Sequence, residues 1–490
     1  MHKDYKPFHV VVFIAVCLAL LGTVVYLMPS GKFEIFGYEL RFLTQERLHK
    51  VQTRREVDIS KIIADVDTTA LETGYTTTNG LHADSAFVRD TIAEQKMNFT
   101  IAQSDLLEFY ESGEKQLISF FEKLNNASDK KIRILHYGDS QIEGDRMTSF
   151  IRQRIQSQFG GTGPGFIPAV NVYPTFTFES EYSSNFMRYT NFGGQALTSN
   201  RYGILNSVGR FTPELNDSVI IDSLKVETAW IQIAPGERAY SLAKQYNTIN
   251  LHYSDATERC LLNIYQNDVL VQTDSLINDG KYHVYTFQTE NNPQKVRFEF
   301  KSKVSPNILG FSLDGENGVQ VDNIGMRGSS GTFFGRIDQK MAKQIYKEQN
   351  VELFIMQFGG NAVPYIKDST SAQRTVRFFK GQLNTIKKLK PDAAIIVIGP
   401  SDMSVLIEGE YTTYPLLPYY IGLMKKATQE VGGAYFDMYE SMGGKDAMVA
   451  WVEGGLASAD HIHFTNKGAS IVAQKFYDAL MSAYAKLYKE

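Results

Sequence analysis

Ile132-Arg-Ile-Leu-His-Tyr-Gly-Asp-Ser140-Gln141 is the stretch on which the reading of this chain turns. Its apolar residues fit a buried strand, and it runs straight into a Gly-Asp-Ser turn. Beyond the turn, Met147, Phe150, Ile151 and Ile155 fall at helical spacing until Gly160-Gly161 stops them. A serine at a strand-to-helix turn stands at the carboxyl end of a sheet with its hydroxyl exposed. Backbone N–H groups of the turn and the helix start can then hold an oxyanion beside it. Alone, Gly-Asp-Ser is also an ordinary turn, so the other parts of an active site have to be found elsewhere in the chain.

Downstream, Gly160-Gly-Thr-Gly-Pro-Gly165-Phe166 is rich in glycine but trails a helix and is not followed by Gly-Lys-Ser/Thr. It reads as a loop that lets the chain leave the sheet rather than a phosphate cradle. From about 170 to 318 the sequence turns to Tyr, Phe, Asn, Ser and Thr, and helical periodicity vanishes. Short alternating runs replace it: Ala229–Ile233, Leu261–Tyr265 and Val296–Phe300, with Asn267-Asp268 placed as a hairpin turn. These features predict an antiparallel β-sandwich. Its aromatic residues are expected in the core, Trp230 among them, although a sugar-stacking role for Trp230 stays open.

From Val319 the α/β rhythm resumes. Val319–Ile324, Val351–Phe358, Ala393–Ile398 and Ala434–Phe436 read as strands. Helices are expected up to Tyr346, over Ala372–Leu389, near Tyr420–Gln429 and from about Lys467 to Leu487. Continuous apolar strands alternating with amphipathic helices predict a doubly wound parallel sheet with helices on both faces. The α/β domain is thus split in sequence, 129–169 and 319–490, with the sandwich at 170–318 inserted after its first β-α unit.

Ligands of such sheets bind at the carboxyl ends of the strands, and four polar motifs fall there: Ser140, the Gly328–Gly331 loop, Asn361, and Asp460 with His463. Together they supply what acyl transfer needs. Ser140 is the nucleophile, His463 its base, and Asp460 the group that sets the imidazole tautomer. Ser140 N–H, Gly331 N–H and the Asn361 amide are the candidate oxyanion donors. His461 and His463 lie too close together to form a zinc pair by themselves and no third ligand is evident, so no metal and no cofactor is expected.

With 490 residues the chain is expected to hold two or three domains. A net charge of −4 with 21% charged residues leaves no polybasic field, which argues against nucleic acid as a partner. The two cysteines, Cys17 and Cys260, make neither a disulfide framework nor a thiolate metal site. Val10–Met28 is apolar and carries no Asp, Glu, Lys or Arg, which suits one membrane-spanning helix within 1–31. A cleaved signal peptide is the alternative, but the run is long for one and ends in Tyr26-Leu27-Met28 where small residues would be needed. Lys3 and Lys6 on one side face Lys32, Arg41 and Arg47 on the other, so charge does not set the orientation. Residues 32–128 read as a stalk. Leu40 to Arg55 is a candidate juxtamembrane helix, Thr76–Gly80 a loop, and Ile101–Leu124 a leading helix.

The four motifs resemble those of the SGNH (GDSL-like) hydrolases. Gly138-Asp139-Ser140 matches the first block of that family, Gly359-Gly360-Asn361 the third and Asp460-x-x-His463 the last. Gly331 before Thr332 best fits the second, with Gly328 in reserve. Gln141 departs from the leucine or histidine of many members, and the Ser-to-Gly gap is unusually long. A β-module inserted after a Gly-x-Gly-Phe stretch resembles the peptidoglycan O-acetylesterase branch, whose insertion is like a carbohydrate-binding module. The resemblance implies a metal-free serine esterase acting on acetylated glycan outside the cytoplasm, in the periplasm, held by the anchor. An O-acyltransferase beside an integral-membrane acyl donor uses the same triad and stays open, as does a glycan-binding protein without catalysis.

Overall fold

The computed structural model describes residues 7–27, 32–35, 38–41, 57–64, 105–215, 220–289 and 295–489. The chain divides into two units, Met1–Val57 and Asp58–Glu490. In the first, Pro7–Leu27 is a 21-residue helix, and Lys32–Ile35 pairs antiparallel with Tyr38–Arg41. Leu40 and Arg41 are therefore strand residues, not the start of a juxtamembrane helix, and the remainder of that expected helix, like the loop at Thr76–Gly80, lies outside the described residues. Among the described residues no helix is long and apolar enough to cross a membrane.

The second unit is built on a six-stranded sheet. Its strands are β1 (Leu107–Phe109), β2 (Lys131–Gly138), β3 (Gly318–Gly325), β4 (Val351–Gln357), β5 (Ala394–Ile398) and β6 (Ala434–Phe436), in the spatial order β3-β2-β4-β5-β6-β1. All neighbours are parallel except β1, which closes the edge antiparallel to β6. The helices are α1 (Glu111–Asn125), α2 (Thr148–Phe159), α3 (Gln339–Glu348), α4 (Ser369–Leu389), α5 (Leu417–Glu430) and α6 (Asn466–Tyr484).

Alternation along the strands divides the sheet into two faces. Leu135 and Tyr137, Phe354 and Met356, Ile395 and Val397 share one core with Met341, Val376 and Ile421 of α3, α4 and α5. The intervening Ile134, Ile355 and Ile396 are also fully buried, and on their side pack α1, α2 and α6. Strands buried on both faces must be apolar throughout, which is why they read as unbroken runs. The doubly wound expectation describes this sheet. The segment read as a leading helix is different: Leu107–Phe109 is the edge strand β1, and α1 starts after it at Glu111. Asp105 is already buried in an ion pair with Lys475 of α6, 2.8 Å away. Residues from 105 onward thus belong to the α/β fold and not to a stalk.

The insertion is a pair of antiparallel sheets. One has His283–Gln288, Thr248–Ser254, Asn307–Asp314, Ser207–Arg210 and Met187–Thr190, and the other Val269–Ser275, Leu261–Gln266, Val296–Ser302, Glu227–Pro235 and Phe178–Tyr182. Their inner faces meet in one core, for example Phe298 against Phe311 with ring centroids 4.9 Å apart. The hairpin at Asn267-Asp268 has both residues at positive φ, 50° and 66°, as a tight two-residue turn requires. Trp230 departs from expectation. Ala229, Ile231 and Ile233 point inward and are buried, so period-two alternation puts Trp230 on the outer face, half-buried. The glycine-rich loop after α2 is the exit to the insertion: Gly161, at φ 106°, lies against the Val319 backbone with no room for a Cβ.

The sandwich is fastened to the α/β sheet by buried charge. Arg133 of β2, fully buried, donates from Nη1 to both carboxylate oxygens of Asp322 on β3 at 2.8 and 3.0 Å, and from Nη2 to Asp314 at 2.7 Å. Asp314 ends the last strand of the insertion. Asp322 also accepts from Phe166 N–H, where the chain enters it, at 2.9 Å. Both crossings between domains are thus tied to one guanidinium. Arg133→Ala strands two buried carboxylates, and unfolding by denaturant is expected to show a loss of about 3–5 kcal/mol. Lys115→Ala, which removes an exposed ion pair with Glu111, is the control and should leave the midpoint unchanged.

Candidate active site

The parallel strands end in register. Gly325 of β3 and Gln357 of β4 both pair with Gly138 of β2, Gln357 pairs with Ile398 of β5, and Ile398 with Phe436 of β6. The loops that follow therefore open onto one edge, at the carboxyl ends. Ser140 lies two residues past β2. The helix does not start there: a short 3₁₀ turn, Glu143–Asp145, intervenes with Gly144 and Asp145 at positive φ, and α2 begins only at Thr148. The α-helix start expected directly after Ser140 therefore lies eight residues beyond it.

Three of the residues picked from sequence form a hydrogen-bonded line. Ser140 Oγ is 2.8 Å from His463 Nε2, and His463 Nδ1 is 2.7 Å from Asp460 Oδ2. The other oxygen, Asp460 Oδ1, accepts from the N–H groups of Ile462 and His463 at 3.0 Å each. A carboxylate beside Nδ1 keeps the proton there, so Nε2 is left to accept from the serine hydroxyl. Burial works to raise the Asp460 pKa, but the hydrogen bonds from the His463 ring and from those two N–H groups outweigh it and hold it below 3.8. The carboxylate is charged at neutral pH, as an orienting group must be.

A cavity of about 270 Å³ opens on this line, with Ser140, Gly328, Asn361, Ser401 and His463 in its walls. Gly331 is not among its lining residues, and its N–H donates to Ser329 Oγ at 3.2 Å. Of the two candidate glycines, Gly328 is the one at the cavity wall. The loop's turn through Ser329 spends the later N–H on itself. Asn361 is at the cavity wall, but its Nδ2 donates to Asp139 Oδ2 at 3.2 Å and to Ser329 O at 3.1 Å. In this state it ties the serine turn to the Gly328 loop, and it has to release or share one N–H to reach an oxyanion.

Two positioning residues were not foreseen. Gln141 donates from Nε2 to Ile462 O at 2.7 Å, and its Oε1 accepts from Phe464 N–H at 3.5 Å, so one amide grips the backbone on both sides of His463. Arg146 donates to Phe464 O at 3.1 Å and to Ser140 O. The two staple the Ser140 turn to the His463 loop. Gln141 stood out in the sequence as a departure without an assigned role, and nothing in the spacing marked Arg146. On the far side, His461 stacks on Tyr411 with centroids 3.7 Å apart. Tyr411 belongs to the hairpin of Ser404–Ile407 and Glu410–Thr413. His461 thus supports the loop. No group of three or more metal-ligating side chains occurs among the described residues.

No family model and no curated protein matches the chain. A solved structure described as a peptidoglycan O-acetylesterase in action does match, with a TM-score of 0.61 and 16% identity, over 78% of this chain and 99% of that one. The two α/β segments read from the sequence make up less than half of the chain, so a match of this extent takes in the inserted sandwich. The chain shares the fold of that protein. Axe2, an acetylxylan esterase from Geobacillus stearothermophilus, also matches, at a TM-score of 0.24 and 18% identity over 33% of this chain and 73% of that one. So does a carbohydrate esterase with a carbohydrate-binding domain from Corynascus thermopiles, at 0.25 and 9% over 53% and 96%. At scores this low only the first match bears on the fold.

Two outcomes follow from this geometry. Gln141→Ala should lower kcat on a small acetyl ester by roughly 10–100-fold, because a base held a fraction of an ångström out of line loses much of its proximity advantage. Thermal melting is the control, and it should move little. Asp139 gives a pH signature. Burial pushes its carboxyl up to about 6, partly opposed by the Gln141 N–H, the His463 charge, Asn361 and Arg146. A raised folded-state value means that protonation favours the native state: this stability is full below about pH 4 and is lost as the pH rises through about 6. An Asp139 carboxyl midpoint near 6 by NMR, and loss of that pH dependence of unfolding in Asp139→Asn, are expected.

Proposed function

We propose that the chain is a serine esterase that removes acetyl groups from an extracytoplasmic glycan through an acetyl-Ser140 intermediate. The observation that carries this reading is the Asp460–His463–Ser140 line opening onto one cavity with Asn361 and Gly328. His463 Nε2 takes the Ser140 proton as Oγ attacks the ester carbonyl carbon. The oxyanion is held by the Ser140 and Gly328 N–H groups and one amide N–H of Asn361. When the tetrahedral adduct collapses, His463 returns the proton to the departing sugar oxygen. Water, deprotonated by His463, then attacks the acetyl carbonyl and releases acetate, and the proton goes back to Ser140.

The glycan and acetyl parts of the reading are supported by the likeness to the peptidoglycan O-acetylesterase, which extends over the insertion. The outward, half-buried Trp230 suits the sandwich to sugar contact. The uncharged run Val10–Met28, helical over Pro7–Leu27, supports a single-pass anchor, and the periplasmic side for the enzyme rests on the resemblance to the esterases alone. That helix also favours a second reading, transfer of the acyl group to a sugar hydroxyl beside an integral-membrane acyl donor. Acceptor positioning and water exclusion decide between the two.

Ser140→Ala is expected to cut acetate release by on the order of 10⁴-fold or more, and Asn361→Ala to cost roughly 10²–10³ in kcat. Near-normal turnover by Ser140→Ala would end the esterase assignment. Esterase and transferase separate when an acetyl donor ester is offered with rising glycan oligosaccharide. Constant acetate release, with acetylated glycan losing its acetyl groups, supports hydrolysis. Acetylated oligosaccharide accumulating as acetate falls supports transfer.

A further inference from the structure

A second cavity, of about 70 Å³, lies where the insertion meets the α/β sheet. At ~10–15 Å³ of such space per water it admits about five water-sized groups, enough for a substituent and too little for a sugar ring. Its walls include Glu143, Asp145 and Arg152 from the α/β domain and Tyr173 and Arg188 from the insertion. Most of these charges are already matched. Arg152 pairs with Asp145 at 2.7 Å, and Glu143 lies 3.6 Å from Arg327.

Arg188 is the exception. It is half-buried, its Nε is buried with no hydrogen-bond partner among the described residues, and its guanidinium carbon stands 5.3 Å from the centre of the Phe192 ring. Burial draws its pKa below the ordinary value, and the groups acting against this are the Tyr173 and Tyr182 hydroxyls, not a carboxylate. A partly desolvated cation without a counter-charge is unfavourable unless something supplies one. The cavity also adjoins the catalytic one. Arg327 lines the Ser140 cavity, pairs with Glu143, and stands 5.8 Å from the Tyr173 ring centre. Glu143 and Tyr173 both line the second cavity.

We propose that this second cavity receives the carboxylate substituent of an acidic sugar of the glycan, held by Arg188 while the sugar ring stays outside it and the acetylated residue lies at Ser140. A singly charged carboxylate fits better than a phosphate, because Glu143 and Asp145 share the walls and oppose a doubly charged group. The placement of the acetylated residue rests on the esterase reading above, whereas binding at Arg188 does not require turnover.

The test uses the full chain carrying Ser140→Ala, with binding measured by calorimetry for an acidic oligosaccharide and for the same oligosaccharide with its carboxyl reduced to an alcohol. The acidic ligand should bind roughly 10–100-fold more tightly than the neutral one, the range for a charge-assisted hydrogen bond. Arg188→Gln should remove that difference without weakening the neutral ligand, and Arg188→Lys should keep part of it. Equal binding of the two ligands to the parent protein, or equal weakening of both by Arg188→Gln, overturns the proposal. If Arg188→Gln does not fold, the parent comparison and Arg188→Lys decide. Absence of acetate release from protein with Ser140 intact would sink the esterase reading alone and leave this binding comparison standing.

Discussion

The candidate site depends on the parallel strands of one sheet ending at one level. Gly325, Gly138, Gln357, Ile398 and Phe436 form a row of hydrogen-bonded neighbours. A shift of one residue in any strand would turn its side chains to the other face and displace its loop by about 3.3 Å. Ser140, Gly328, Asn361 and Ser401 come from four loops beyond that row, and they share a cavity because the row is level. His463 is different. Its loop follows no strand of the sheet directly and precedes α6, whose N-terminus is capped by Thr465 accepting from Gly468 N–H.

That independence explains the staples. His463, on a loop not fixed by the sheet, needs other restraints, and the Gln141 amide and Arg146 guanidinium provide them from the Ser140 turn. Beneath the turn, His136 is buried with its ring nitrogens 3.0 Å from Gln357 Oε1 and 2.9 Å from Thr148 Oγ1. Burial lowers its pKa to about 3, so it stays neutral and places no second positive charge under the serine.

The insertion is part of the same construction. Its entry and exit are bound to Arg133, which sits on β2, the strand that carries Ser140. Tyr137 of β2 donates to Ile204 O of the insertion at 2.8 Å, and Tyr189, Leu205 and Leu309 of the insertion join the core that packs on β4 and β5. A sandwich held by a buried charge network and a shared apolar core does not swing freely beside the sheet, so any sugar it contacts is presented in a defined place relative to Ser140.

The strands were legible in the sequence because burial on both faces makes each an unbroken apolar run, and the helices because their apolar residues recur every three or four positions. Ser140, Asn361, Asp460 and His463 were legible because each lies in a short motif beside a strand end or a helix start. Leu107–Phe109 was misread as helix because a three-residue strand is too short to show a period and stands next to a true helix. Trp230 was misplaced because apolar character alone does not tell which face of a strand a residue takes. The choice of Gly328 over Gly331 required the path of the loop, since the difference lies in which N–H is spent on Ser329. The contacts of Gln141 and Arg146 with the His463 loop span hundreds of residues. Local spacing fixes what a segment can become, whereas the partner of a buried polar group is set by packing between segments remote in the chain, and only the tertiary structure contains that.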